Sequence, residues 1–281
     1  MLLDSHTHVV SPEPDRFART ARGLGREWWT EPGRDVEALI RTLDDHRVER
    51  AVLVQAVGAH GYDNSYLLDA ARRFAPRVVA VPAVDLDDPR LADGDIATVI
   101  GDLARDPVVT GIRLFAVSPA SRWTARPARV RAAFDAAGAA RLVMVLTLFE
   151  SQLAALAGAV VDHEGPVALD HCAFPGLRAG LLPDDAPLLA LERAAHVTLK
   201  VSSHLLLDAA AAGASGALVG QLVARFGPDR ILWGSDYPQT GADYGALVAL
   251  AERAAGGLSG ADREAFFAAN AARVFGRPGL S

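Results

Sequence analysis

Two histidines near the start of the chain are the first residues whose type and spacing point to chemistry. His6 and His8 lie two residues apart in the segment Leu2 to Val10, whose apolar flanks predict a buried strand. Because alternate side chains of a strand share one face, both imidazoles would project together, with Asp4 on the same side. Two imidazoles that face one space can hold a divalent metal or contact a substrate oxygen. Taken alone, the pair fits hydrogen-bonded core histidines better, because short motifs are weak evidence.

Further polar residues stand within or directly after other apolar runs. They are His60, Asp85, Arg113, Thr147, Asp170, His171, Lys200, Ser203, His204 and Asp236. Charged side chains are rarely buried without a partner, so Arg113, Lys200 and Asp236 each need one. A closed barrel supplies partners by bringing the ends of all its strands to one cavity. The joint pattern therefore predicts one active site, with the core set His6, His8, His171 and Asp236.

Eight short apolar runs predict the strands that would position these residues. Most are apolar on both faces, as in a parallel sheet that is buried on both sides. The runs are Leu2 to Val10, Arg50 to Val57, Arg77 to Asp85, Val108 to Val117, Arg141 to Leu148, Pro166 to His171, His196 to Ser203 and Arg230 to Tyr237.

Predicted helices lie between the strands. They are Asp35 to Arg47, Asn64 to Phe74, a helix opened by Asp88 and Pro89, Ala128 to Ala140, Ser151 to Asp162, Asp185 to Ala195, Ser215 to Phe226, Ala242 to Ala255 and Ala261 to Phe275. The alternation predicts one distorted (β/α)8 TIM barrel domain over residues 1–281, with its active site at the C-terminal ends of the strands. An open doubly wound sheet is the alternative, but it favours a glycine-rich phosphate loop that the sequence lacks.

The composition argues against several classes of protein. The chain has 281 residues and a net charge of −6, which disfavours a nucleic-acid partner. It has no apolar run of ~18–20 residues to span a membrane and no secretion signal. A single cysteine, Cys172, fits a reducing compartment. We therefore expect a cytoplasmic enzyme for a small molecule, without a nucleic-acid or membrane partner, and the sequence leaves a homo-oligomer open.

Two long segments follow strand ends, where barrel enzymes build their pockets. They are Ser11 to Gly33 after the first strand and Cys172 to Pro187 after the sixth. Trp28 and Trp29 lie on the first segment. Two interpretations carry equal weight, an apolar wall around the substrate or a staple that holds the loop to the barrel.

Several motifs together resemble the amidohydrolase superfamily. They are Asp-Ser-His-Thr-His at 4–8, Leu-Asp-His-Cys-Ala-Phe-Pro at 169–175, Leu-Lys-Val-Ser at 199–202 and Trp-Gly-Ser-Asp-Tyr-Pro at 233–238. The chain most resembles the "amidohydrolase 2" branch, which contains 2-pyrone-4,6-dicarboxylate lactonase and related sugar-lactone hydrolases. Residues 58–65, 111–115 and 270–276 strengthen this placement, so the resemblance covers essentially the whole chain.

The resemblance implies a role for each matching position. His6 and His8 match metal ligands on strand 1, His171 matches the strand 6 histidine, and Asp236 matches a strand 8 aspartate that acts as general base. Arg113 matches an arginine that binds an anionic or carbonyl oxygen. His60 and His204 are further candidates for substrate contact, each with a structural role as the alternative.

Two departures from the superfamily pattern limit the metal centre. Arg113 stands where many members carry a bridging lysine or glutamate, and Thr147 stands where a strand 5 histidine is common. We therefore expect no two-metal centre. Two alternatives stay open: one zinc or manganese ion on His6, His8 and Asp236, with or without His171, or no metal at all.

The set of residues predicts a hydrolase that opens a lactone or similar ester of a small organic acid. Asp236 would deprotonate water while neighbouring groups stabilise the oxyanion. One alternative is a non-oxidative decarboxylase of an aromatic or unsaturated acid that uses a single metal, although the missing strand 5 histidine counts against it. Another is a catalytically silent binding barrel. The substrate itself does not follow from the sequence, because the two long loops shape the pocket.

Overall fold

Eight parallel strands surround the centre of the computed structural model, which describes residues 1–20, 28–118 and 121–276. Each observed strand lies inside the apolar run that predicts it and is shorter than that run. The strands are Leu3–Thr7 (β1), Arg50–Val54 (β2), Val78–Val81 (β3), Gly111–Phe115 (β4), Val143–Thr147 (β5), Val167–Leu169 (β6), Val197–Ser202 (β7) and Ile231–Gly234 (β8). β1 to β3 form one hydrogen-bonded sheet and β4 to β8 form another, each in sequence order.

Backbone hydrogen bonds join the two sheets at both seams. Between β8 and β1, the N–H of Asp236 donates to the carbonyl of His6 at 2.8 Å. Between β3 and β4, the N–H of Arg113 donates to the carbonyl of Pro82 at 2.8 Å. The strands therefore close into a ring, and the predicted (β/α)8 barrel is confirmed.

Helices flank the strands. They are Val36–Asp45 (α1), Val57–His60 (α2), Ser65–Arg73 (α3), Ile96–Ala104 (α4), Pro127–Ala139 (α5), Glu150–Val161 (α6), Ser203–Ala211 (α7), Ser215–Phe226 (α8), Tyr244–Ala254 (α9), Gly260–Glu264 (α10) and Asn270–Phe275 (α11). Asp35 caps α1 by accepting a hydrogen bond from the N–H of Ala38, at 2.8 Å. In the described ranges, no helix is both long and apolar enough to cross a membrane.

Two helix predictions are wrong. The helix expected at Asp88 and Pro89 begins only at Ile96, because the Asp88 carboxylate accepts from the backbone and side chain of Arg90 and holds a turn there. The helix expected over Asp185 to Ala195 is reduced to the short 3₁₀ turn Pro187–Leu191.

Arg230 supplies the physical reason for the shortened turn. Its guanidinium donates to the carbonyl of Leu191 at 2.9 Å and to that of Glu192 at 2.6 Å. A continuing helix would need these carbonyl groups for its own hydrogen bonds. Conversely, α7 follows β7 directly and is absent from the predicted helices.

The amino-terminal end of the barrel is closed by an apolar plug. The plug consists of the inward-facing residues Leu3, Val52, Val54, Val81, Val143, Val145, Ala168 and Leu232, together with Ala268, Ala271 and Phe275 from the last helical segment. That segment runs from α10 through a π-helical turn, Ala265–Ala269, into α11. Because this end is filled with side chains, an accessible site must lie at the opposite end.

Candidate active site

Three side chains with metal-ligand atoms meet at the carboxyl end of the barrel. His6 and His8 are at the end of β1, and Asp236 lies two residues beyond β8. The Nε2 atoms of the two histidines are 3.2 Å apart. Asp236 Oδ1 lies 3.4 Å from His6 Nε2 and 3.2 Å from His8 Nε2. All three side chains are buried, so the predicted convergence of strands 1 and 8 is present in the structure.

Hydrogen bonds on the far side of each ring orient the two histidines. His8 Nδ1 donates to the backbone carbonyl of Val54 at 2.8 Å. His6 Nδ1 donates a hydrogen bond to the ionised carboxylate of Asp170, with 3.1 Å between Nδ1 and Oδ1. Because a neutral imidazole carries one proton, both Nε2 atoms direct a lone pair towards Asp236.

The donor atoms fit a single divalent cation. Both carboxylate oxygens of Asp236 are buried and accept no hydrogen bond from any described residue. Three lone-pair atoms within 3.4 Å of one another repel unless a positive charge lies between them. In a tetrahedral zinc site with bonds of ~2.0–2.2 Å, ligand atoms are roughly 3.3–3.5 Å apart. The observed separations of 3.2, 3.2 and 3.4 Å are within about 0.1 Å of that range.

Burial sets the protonation of the histidines. It lowers the pKa of His6 to about 3, against the opposing effect of Asp170. It also lowers the pKa of His171 to about 4. Burial alone would raise the pKa of Asp236, but the surrounding imidazoles of His171, His8 and His6 hold it below its usual range. Near neutral pH, His6 is therefore neutral and Asp236 is ionised, which are the states that metal ligands require.

Asp170 is the centre of a buried charge network that sequence reasoning gave no role. Its Oδ1 lies 3.1 Å from both His6 Nδ1 and Lys200 Nζ. Its Oδ2 accepts from Thr147 Oγ1 at 2.6 Å and lies 3.3 Å from Arg113 Nε. Burial opposes its ionisation, but Lys200, His6 and Arg113 hold the pKa of Asp170 well below its usual range.

The network has two consequences. Lys200 has the carboxylate partner that a buried lysine requires, as the apolar run around it predicts. Thr147 donates to Asp170 and accepts from Arg113 Nε at 2.7 Å, so β5 supplies a positioning hydroxyl in place of a histidine ligand. The available sequence signal was the position of Asp170, directly before His171 at the end of a strand.

His171 lies beside the ligand group and not within it. Its ring centroid is 4.9 Å from that of His6, and its Nδ1 is 2.8 Å from Ser202 Oγ. Among the described residues, the group with metal-ligand spacing comprises His6, His8 and Asp236 alone. His171 faces the cavity, where it can contact a substrate.

The backbone that presents His171 is strained. His171, Cys172, Ala173 and Phe174 have φ values of 55°, 52°, 63° and 48°, and none of them is glycine. Asp236 is also left-handed, with φ 57°. L-residues adopt this region at a cost of about 1–2 kcal/mol each, and such strain concentrates at functional sites.

A cavity of about 840 Å³ opens over these residues. Five predicted site residues line it besides His8: Trp28, Trp29, Arg113, His171 and His204. Arg113 is buried and donates from Nη1 to the backbone carbonyl of Gln55 at 2.7 Å. That bond and its bond to Thr147 hold the guanidinium rigidly in the cavity wall.

His60 is the exception among the predicted contact residues. Its Nε2 accepts from the N–H of Ser11 at 3.1 Å, and its Nδ1 donates to the carbonyl of Ala18 at 2.9 Å. It is buried and is not among the described residues that line the cavity. This corrects the expectation of substrate contact, because both ring nitrogens fasten the loop after β1 to α2.

A closed (β/α)8 barrel with a buried histidine, histidine and aspartate group at the carboxyl ends of its strands defines a barrel enzyme. The model of the Amidohydrolase family matches residues 3–277. L-fucono-1,5-lactonase of Burkholderia ambifaria is 31% identical over 241 residues, which cover 82% of this chain and 78% of the relative. The chain belongs to the amidohydrolase family and is a hydrolase, so the resemblance is confirmed.

Solved structures agree on the architecture. An amidohydrolase from Burkholderia multivorans with bound zinc has a TM-score of 0.76 and 22% identity, with 99% of this chain and 100% of that chain covered. A 2,6-dihydroxybenzoate decarboxylase in complex with 2,6-dihydroxybenzoate has a TM-score of 0.63 and 16% identity, with 98% of each chain covered. At these identities the likeness shows the fold alone.

Proposed function

We propose that this protein hydrolyses a lactone or a similar ester of a small organic acid, with Asp236 as the general base. One observation carries the proposal. Asp236 is an ionised, buried carboxylate that accepts no hydrogen bond from the described residues and faces two histidine Nε2 atoms at the floor of a cavity. The similarity to L-fucono-1,5-lactonase supports this reaction class.

The side chains divide the reaction between them. Asp236 takes a proton from the attacking water on a carboxylate oxygen and returns it to the departing alkoxide. Arg113 donates to the carbonyl oxygen and stabilises the negative charge that develops there. His171 forms part of the cavity wall next to His6 and positions the ring of the substrate.

His6, His8 and Asp236 would hold one zinc or manganese ion. Such an ion supplies Lewis acidity, which makes water more acidic and polarises a carbonyl group. The zinc-bound relative from Burkholderia multivorans supports the choice of metal. His171 would be a fourth contact only after its ring moves from the position next to Ser202. A cytoplasmic location stays a prediction from the sequence.

Metal binding and product analysis test the proposal together. Zinc titration by calorimetry should show one ion per chain, and His8→Ala should weaken binding at least about a hundredfold. His46→Ala is the matched control, because His46 lies at the end of α1 and outside the ligand group.

Hydrolysis in ¹⁸O-labelled water should then place one label in the carboxylate product of a lactone. Release of carbon dioxide from an aromatic acid would instead identify a decarboxylase. Binding of a lactone and of an aromatic acid without turnover of either, in the presence of zinc or manganese, would contradict both enzymatic functions.

A further inference from the structure

One wall of the cavity is a row of rings that begins at the metal-ligand group. The His8 ring stacks on Trp28 with centroids 5.7 Å apart, and Trp29 follows with its centroid 5.9 Å from Trp28. Gly58 on α2 makes room for this row, because a Cβ there would lie 2.9 Å from the Trp29 ring. The wall is therefore continuous and apolar beyond the histidine.

A second row of rings begins at His171. Phe174 lies 4.5 Å from His171 between ring centroids, and Phe149 lies 5.5 Å from Phe174. The left-handed turn described above holds Phe174 against His171. Phe149 lines the cavity and 43% of its surface is exposed, so its ring is accessible to a ligand that enters the cavity.

Several polar side chains in the lining are committed to the protein itself. Gln152 accepts from the N–H of Phe149 at 2.8 Å and donates to the carbonyl of Ala116 at 3.1 Å. Thr147 donates to Asp170. Among the described residues, the lining includes no aspartate or glutamate. The lining also includes the polar side chains of Arg113, His204 and Gln239, so one part of a ligand can bond to the protein while another part meets the rings.

We infer that the two rows of rings bind an alkyl or aryl substituent, so that the preferred substrate is a lactone with an apolar substituent. This inference rests on the proposed lactone hydrolysis. Transfer of an apolar group from water to the cavity lowers the free energy, and flat aromatic walls offer large contact areas. The cavity volume of about 840 Å³ also suits a ligand larger than a bare lactone ring.

Three δ-lactones test the inference on the intact, zinc- or manganese-loaded enzyme. They are unsubstituted δ-valerolactone, δ-decalactone with its pentyl chain, and L-fucono-1,5-lactone. We expect kcat/KM for δ-decalactone to exceed each of the other two at least about tenfold, because five buried methylene or methyl groups contribute to binding. An equal or higher kcat/KM for the sugar lactone would overturn the inference and leave lactone hydrolysis standing.

Phe149→Ala tests the wall itself. The backbone of Phe149, and not its ring, bonds with Gln152 at the start of α6, so the variant should fold. The ratio of kcat/KM for δ-decalactone over δ-valerolactone should fall at least about fivefold. Leu207→Ala is the matched control, an exposed apolar residue on α7 outside the cavity lining, and it should leave the ratio unchanged. An unchanged ratio in Phe149→Ala would overturn the inference.

Binding of the corresponding δ-lactams separates this inference from the proposed reaction. The pentyl-substituted lactam should bind at least about tenfold more tightly than the unsubstituted lactam by calorimetry, and Phe149→Ala should reduce that difference. If the lactams bind in this way but no lactone is turned over, the result would support the apolar substituent site and contradict lactone hydrolysis. Equal binding of both lactams would overturn the inference whether or not lactones are hydrolysed.

Discussion

The two ends of the barrel differ in the polarity of their buried side chains. At the amino-terminal end, the apolar plug fills the interior with aliphatic side chains and Phe275. At the carboxyl end, the buried side chains are ionisable, and the oxygens of Asp236 have no donor among the described residues. Packing at the amino-terminal end therefore stabilises the fold. This stability compensates for the strained backbone and the unsatisfied polar groups at the carboxyl end.

Lys200 marks the boundary between the two ends. Its ammonium group lies 4.8 Å from the ring centroid of Phe275 and 3.1 Å from Asp170. It is fully buried, and burial lowers its pKa while Asp170 opposes that shift. Substitutions on the carboxyl side of Lys200 should therefore change catalysis, and substitutions on its amino-terminal side should change stability.

Asp236→Asn should have the largest effect, and it should act on proton transfer and metal binding at the carboxyl end and not on folding. The amide keeps the size of the side chain but cannot accept a proton, so kcat should fall by about 10²- to 10⁴-fold. The melting temperature of the metal-free protein should stay close to wild type, because the amide keeps the volume of the side chain in this buried position. Turnover of a confirmed lactone within a few-fold of wild type would mean that the base lies elsewhere, with His171 as the next residue to test.

Phe275→Ala should show the opposite pattern. Removing a buried ring from the plug should lower the free energy of unfolding by about 3–5 kcal/mol, measured by urea denaturation. The kcat of the folded fraction should stay close to wild type. Phe275→Leu, which leaves a smaller gap, should cost much less. A large loss of kcat in both variants would break the proposed separation of the two ends.

Arg113→Met should lower kcat/KM by about 10- to 100-fold, because a charge-assisted hydrogen bond to the substrate is worth ~1.5–3 kcal/mol. Arg129→Met is the control for losing an arginine, since Arg129 bonds to Asp93 and backbone carbonyls outside the cavity. Kinetics that do not change in Arg113→Met would reduce Arg113 to a structural partner of Asp170.

Gly58→Ala should have the smallest effect and should act on the shape of the cavity. The added methyl would press on the Trp29 ring and shift it, so KM should rise roughly two- to fivefold with little change in kcat. Gly101→Ala has open space around it and should leave KM unchanged. A KM equal to wild type in Gly58→Ala would show that the Trp29 wall is not in contact with the substrate.

The sequence predicted the elements that depend on local pattern. Apolar runs located all eight strands, and the two-residue period of β1 placed His6 and His8 on one face. The role of Asp170 could not be predicted, because its partners come from β1, β4, β5 and β7. The place of His60 depends on the path of a long loop, and no local pattern determines such a path.

The left-handed turn at residues 171–174 has a consequence for protein engineering. A redesign that maximised thermal stability would choose glycine at Ala173, where φ is 63°, because relief of about 1–2 kcal/mol of backbone strain exceeds the roughly 0.8 kcal/mol lost with one buried methyl group. The same change would let the turn sample other conformations and would loosen the placement of His171 and Phe174. Loss of this one methyl group would then raise thermal stability and lower turnover. Selection for thermostability alone would therefore reduce activity through a residue outside the cavity lining.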